Sequence, residues 1–208
     1  MSSGMLLLTA AAVLVYCGAL QRVLDRMYLT DRAALLLIGL MLAGTFLPPV
    51  SIGMVRLNIG GALIPLGVCG WLLIRADTPL ERCRTLLGTV LTAAAIYGLT
   101  LLLPSEPEKL FMDPTLLCAL AGGVIAWLLG RSRRGAFVCG VAGMILADTV
   151  TAAVNWARGV DQALILGGGG LADAVVLSGM LGVLLCELIG EAAERIMRRS
   201  AAKGGNRG

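Results

Sequence analysis

Seven apolar runs alternate with short charged connections along the whole chain, and that alternation constrains the fold more than any other feature. The runs cover 4–20, 33–50, 58–74, 85–103, 115–130, 136–156 and 163–189. A helix needs about 20 mostly apolar residues to cross the hydrocarbon core of a bilayer, with a range of roughly 17–25. Each run meets that length, alone or with its flanks. The chain is 58% hydrophobic and 14% charged, against about 45–50% and 25% in soluble domains. A chain of 208 residues has too little interior to hide that excess from water. Lipid hides it.

The pattern therefore predicts an all-α, polytopic membrane helix bundle of about seven transmembrane helices, as one domain over 1–190. A basic cytoplasmic tail follows over 191–208. The last run contains Gly167, Gly168, Gly169 and Gly170, which predicts a broken or re-entrant segment ahead of the final helix. The first run has no basic residues before it and no small-x-small cleavage signature after it, so it reads as a retained helix.

Orientation follows from arginine and lysine, which collect on the cytoplasmic side. Arg22, Arg26 and Arg32 follow the first run, Arg75, Arg82 and Arg84 the third, and Arg131, Arg133 and Arg134 the fifth. The tail adds Arg195, Arg198, Arg199, Lys203 and Arg207. Only Arg56, Lys109 and Arg158 fall in the alternate connections, so 14 basic residues stand on one side and 3 on the other. The amino terminus is predicted outside and the carboxyl terminus in the cytoplasm. This distribution also accounts for the net charge of +4 without nucleic acid. The lipid bilayer of a prokaryotic plasma membrane is the expected surrounding, and the sequence leaves the oligomeric state open.

Histidine is absent, which excludes histidine metal sites, histidine bases and Ser-His-Asp triads. The six cysteines form no Cys-x-x-Cys pair and mostly lie in apolar runs, where they read as small core residues. No metal or cofactor is predicted.

Three carboxylates fall within apolar runs: Asp148, Asp173 and Glu187. Glu187 is one turn from the polar tail and is expected to be hydrated there. Asp148 and Asp173 lie deeper, where an ionisable group costs at least about 2.5–3.5 kcal/mol and is a functional hypothesis by default. On a helix, Asp148, Thr151 and Asn155 share one face. Asp173 follows Gly169 and Gly170, which free the backbone to bend and admit a ligand or another backbone closely. Runs six and seven are antiparallel neighbours, so the two carboxyls are expected to meet at similar depth and share one proton. Such a pair is the requirement of aspartyl proteolysis, in which one carboxylate activates water and the other protonates the carbonyl.

A third feature is Asn58-Ile59-Gly60-Gly61-Ala62-Leu63-Ile64-Pro65. Pro65 removes a backbone donor and the glycine pair loosens the helix before it. The segment reads either as a proline-kinked helix or as a discontinuous helix lining the cavity of the aspartates. Asn58 and Pro65 are thus candidate cavity residues, with Gly169, Gly170, Thr151 and Asn155.

These three motifs, in this order, resemble a prokaryotic family of multipass membrane proteins known only by a domain of unknown function. That resemblance spans most of the chain and implies no activity. More distantly, Gly170-Leu171-Ala172-Asp173 is similar to the Gly-x-Gly-Asp motif of intramembrane aspartyl proteases: presenilin, signal peptide peptidase and prepilin peptidase. Ala172 replaces the second glycine, and no Pro-Ala-Leu element follows the seventh run. The likeness implies catalytic roles for Asp148 and Asp173. Three functional classes stay open: an aspartyl protease-like hydrolase acting on a membrane protein, a proton- or cation-linked transporter of a small solute, and a structural or partner-binding membrane protein.

Overall fold

The computed structural model describes residues 31–102, 114–130, 132–168 and 173–204. The first apolar run, 4–20, lies outside them. The described chain is mostly helical, with six α-helices: α1 (Asp31–Thr45), α2 (Ile64–Ile74), α3 (Pro79–Leu102), α4 (Pro114–Gly130), α5 (Arg133–Ala157) and α6 (Ala174–Gly204). Three short strands join them: β1 (Val50–Ile52), β2 (Val55–Leu57) and β3 (Leu164–Leu166).

The sheet corrects the all-α expectation. The run 33–50 is helical only to Thr45, because Pro48 and Pro49 supply no backbone donor and bias the residue before each of them to extended conformations. The chain then forms a hairpin, with Ile52 opposite Val55 and Gly53 at φ +61° opening the two-residue turn. Positive φ at that position is what such a tight hairpin requires. β3 adds to β2 in parallel, pairing Arg56 with Ile165 and Leu57 with Leu166.

The run 58–74 is also not one α-helix. Ile59–Leu63 form a π-helical turn, and α2 begins at Ile64 with Pro65 in its first turn. The wider turn fits a proline, which gives no bond back along the helix and whose ring crowds the carbonyl four residues earlier. Asn58 caps the turn: its Oδ1 accepts from Gly61 N at 2.9 Å. The backbone N–H of Asn58 in turn donates to Leu166 O at 3.0 Å, extending the β2–β3 ladder.

Helices α3, α4, α5 and α6 pack as a bundle, with α2 against α5. Leu72, Ile96, Val138, Val141 and Val175 are among its most completely buried side chains. Small residues let α5 and α6 touch through their backbones. A Cβ added at Gly140 would lie 2.7 Å from Gly179 Cα, closer than real contacts allow.

By length and composition, α3 and α5 can each cross a membrane, while Ile59–Ile74, Leu117–Gly130 and Ala174–Gly190 are shorter apolar helices of 10–17 residues. The outward faces are apolar as well. Leu86, Leu87, Val90 and Leu91 of α3 are exposed, as are Leu120, Val124 and Leu128 of α4.

One end of the bundle gathers the arginines. Arg134 pairs with Asp77 and donates to Arg75 O at 3.1 Å, while Arg82 donates to Ile74 O at 2.8 Å. Ser132 caps α5 by accepting from Gly135 N at 2.9 Å, and it donates to Glu81 at 3.0 Å. The sheet, Trp156 and the start of α6 occupy the opposite end, by the direction of the helices that connect them.

Candidate functional site

Asp173 stands immediately before α6 and caps it. Its backbone carbonyl accepts from Leu177 N at 3.0 Å, and its Oδ1 accepts from Val175 N at 3.0 Å. The cap explains why the helix starts here: an aspartate oxygen satisfies one of the amides that a helix leaves open at its beginning.

Asp148 lies within α5, half-buried. The register of α5 against α6 sets its level. Arg133, at the start of α5, pairs with Glu187 of α6. From that contact Asp148 lies fifteen residues along α5 and Asp173 fourteen residues back along α6. The two helices are antiparallel and rise about 1.5 Å per residue, so both carboxyl-bearing residues reach the same level. Asp173 is near enough for its charge to act on Asp148. Cys118 of α4 lies within electrostatic reach of Asp148 as well.

The Asn58–Pro65 motif comes to the same end of the protein. Gly167 takes φ +68°, and a Cβ there would lie 2.4 Å from Gly61 C. Only glycine permits both that backbone angle and that approach. Gly167, the residue after β3, thus lies directly against the π turn. Ala62 of the turn, Ala147 beside Asp148, Leu166 of β3 and Ala174 beside Asp173 belong to one buried cluster.

The remaining candidates fare differently. Thr151 returns its hydroxyl proton to Ala147 O at 2.8 Å, leaving its oxygen able to accept. Asn155 donates to Gln162 Oε1 at 3.1 Å and Trp156 Nε1 to Gln162 O at 2.7 Å. Asn155 therefore ties down the connection after α5. Pro65 is buried in the first turn of α2. Gly169 and Gly170 lie outside the described residues.

Glu187 requires a correction. It is 8% exposed and paired with Arg133, where hydration at the helix end was expected. The reason is the register of the helices: α5 begins against α6 at this point, so Arg133 covers Glu187, while α6 runs on to Gly204. The contact is a charge pair without hydrogen-bond alignment at Glu187 Oε2, and Arg133 Nε has no acceptor among the described residues.

A polar line on α3 was not recognised in the sequence. Thr85, Thr89 and Thr92 are all buried and face the glycine side of α5. Thr85 adjoins Gly135, Gly88 adjoins Cys139 and Thr92 adjoins Gly143. Spacing of four and then three residues was the available signal.

Residues 26–185 match a family described as "Protein of unknown function (DUF1614)". The chain belongs to the DUF1614 family. The match includes Asn58, Pro65, Asp148 and Asp173 and ends just before Glu187. The family carries no established activity to transfer, and no link to aspartyl proteases accompanies it. No curated protein matches the chain, and no solved structure does.

Proposed function

We propose that this DUF1614 protein is a multipass integral membrane protein in which Asp148 and Asp173 form an acid site that binds and releases protons during the passage of a small solute or cation. The reading of the chain as membrane-embedded draws on its surface. Only 33% of the apolar window of α3 and 50% of that of α5 is packed inside the protein, whereas a core helix of a soluble domain hides most of its length. Lipid is the partner that suits such faces. The arginines at one end of the bundle fit a cytoplasmic side.

The observation that carries the site is the common level of Asp148 and Asp173 on adjoining helices, within electrostatic reach of each other. Two carboxyls that face one another hold a single proton between them. One of them also accepts the amide of Val175, so the pair is asymmetric. The π turn before α2 is the kind of broken element that transporters use to build midplane sites. The test is proton uptake into liposomes containing the purified full chain, with and without an imposed potential. Uptake that disappears in both Asp148→Asn and Asp173→Asn supports the reading. Equal uptake in both variants and the wild type rejects it.

A second reading, an intramembrane aspartyl hydrolase, is favoured by one observation. β3 is extended and leads directly into the glycine segment before Asp173, and an extended peptide could be held beside such a strand. Cleavage of a reconstituted single-span peptide, lost in the same two variants, would select it over transport.

A further inference from the structure

Thr92 and Ser178 are both 0% exposed, and neither hydroxyl has a hydrogen-bond partner among the described residues. A serine or threonine inside a helix ordinarily gives its proton to the carbonyl four residues back. Thr89 does so to Thr85 O at 2.9 Å, and Thr149 to Ile145 O at 2.7 Å. Thr92 and Ser178 do not. Leaving a buried hydroxyl unpaired is costly, and native proteins resolve it with ordered water or a ligand.

The two hydroxyls belong to one layer of the bundle. Ser178 Oγ lies 2.5 Å from the point where a Cβ on Gly122 would stand, and Ile96 Cδ1 lies 3.2 Å from that same point. Thr92 is one turn before Ile96 on α3, and its methyl comes within 2.8 Å of a Cβ placed on Gly143. Gly143 precedes Asp148 by five residues and Ser178 follows Asp173 by five. Along the helix axes both hydroxyls are therefore displaced about 7–8 Å from the level of the acid pair, towards the basic end, at 1.5 Å per residue.

Below them the polar line continues. Thr89 and Thr85 follow on α3, and Cys139 donates its thiol to Thr85 O at 3.4 Å. Ser132 and Glu81 then reach the basic end. On the other faces of this interior, apolar side chains such as Val138, Val141 and Met144, with Phe137 against Gly179, stand between the acid pair and the ion pair of Arg133 with Glu187.

We infer that Thr92 and Ser178 hold an internal water site between α3, α4, α5 and α6, and that this water continues the hydrogen-bonded path from Asp148 and Asp173 towards the basic end. Its use as a proton path rests on the transport reading above; the hydration itself does not. Thr92→Val and Ser178→Ala remove each hydroxyl at nearly constant shape, and the second also raises helix propensity. If water is held there, each variant of the full chain in detergent melts at a lower temperature than the wild type, and proton uptake into liposomes falls at least tenfold in the double variant. A melting temperature unchanged or raised in both single variants means the hydroxyls are dry, and overturns the site. Lower melting with wild-type uptake in the double variant overturns the path. Lower melting when the wild type itself carries no protons keeps the water site and rejects the transport reading.

Discussion

Arg133 meets Glu187 where α5 begins against the middle of α6, and this one contact fixes the level of every residue pair between the two helices. Gly140 against Gly179 obeys the same register, as do Asp148 and Asp173. Both charges of the ion pair are largely shielded, with the Glu187 side chain 11% exposed. Burying two charges costs several kcal/mol each, and their attraction offsets this only while both are present.

Glu187→Gln should therefore be strongly destabilising. Removing one partner of a buried pair costs about 3–5 kcal/mol, because the other charge is left uncompensated. Arg133→Met with Glu187→Met should recover most of the loss. Thermal melting in detergent and the amount of folded protein in membranes measure both. Equal stability of wild type and Glu187→Gln would place the pair in water.

The spacing of α5 and α6 depends on glycine. Gly140→Leu introduces a side chain where even a Cβ would lie 2.7 Å from Gly179 Cα, so the helices must separate. Overpacking of this kind typically costs about 1–3 kcal/mol. The expected outcome is a lower melting temperature together with loss of whatever activity requires the Asp148–Asp173 pair. Leu87→Ile, on an outward face, should change neither.

Topology has a direct measurement. Cys83 is exposed near the basic end, and Gln162 is exposed at the opposite end. With Cys17 replaced by serine, an impermeant thiol reagent should label Gln162→Cys from outside intact cells. Cys83 should react only after permeabilisation. The opposite pattern would reverse the orientation drawn from the 14-to-3 partition of basic residues.

Much of the helix framework was legible because apolar length and charge punctuation are local properties. The runs 85–103, 115–130 and 136–156 correspond closely to α3, α4 and α5. The sheet was hidden because its strands are three residues each, too short for a period of two to stand out inside apolar runs. Pro48 with Pro49 was the visible clue that the second helix ends early. Asn58, Gly61 and Gly167 were recognisable as unusual, but their meeting is a long-range contact across more than a hundred residues. Glu187 misled for a similar reason: its partner Arg133 is distant in sequence, and only the register of the folded helices brings the charges together. The buried hydroxyls of Thr92 and Ser178 look like ordinary helix residues until their missing bonds are seen.

The aspartates separate structural from chemical roles through unequal substitutions. Asn caps a helix about as well as Asp, so Asp173→Asn should keep the bond to Val175 N and leave stability near that of the wild type. Asp173→Ala loses the cap and should cost about 1 kcal/mol. Asp148 lies within α5, which Ser132 caps at its start and which ends at Ala157, so Asp148→Asn and Asp148→Ala should both leave the helix ends intact. If the pair handles protons, all four variants lose function, including the two Asn variants that remain well folded. If Asp173 serves only to start α6, function follows stability: Asp173→Ala is impaired, while Asp173→Asn and both Asp148 variants behave as the wild type. Melting temperature and proton uptake measured on the same purified samples distinguish these outcomes, because an isosteric amide preserves shape and hydrogen bonding while removing the ability to give up a proton and take it back.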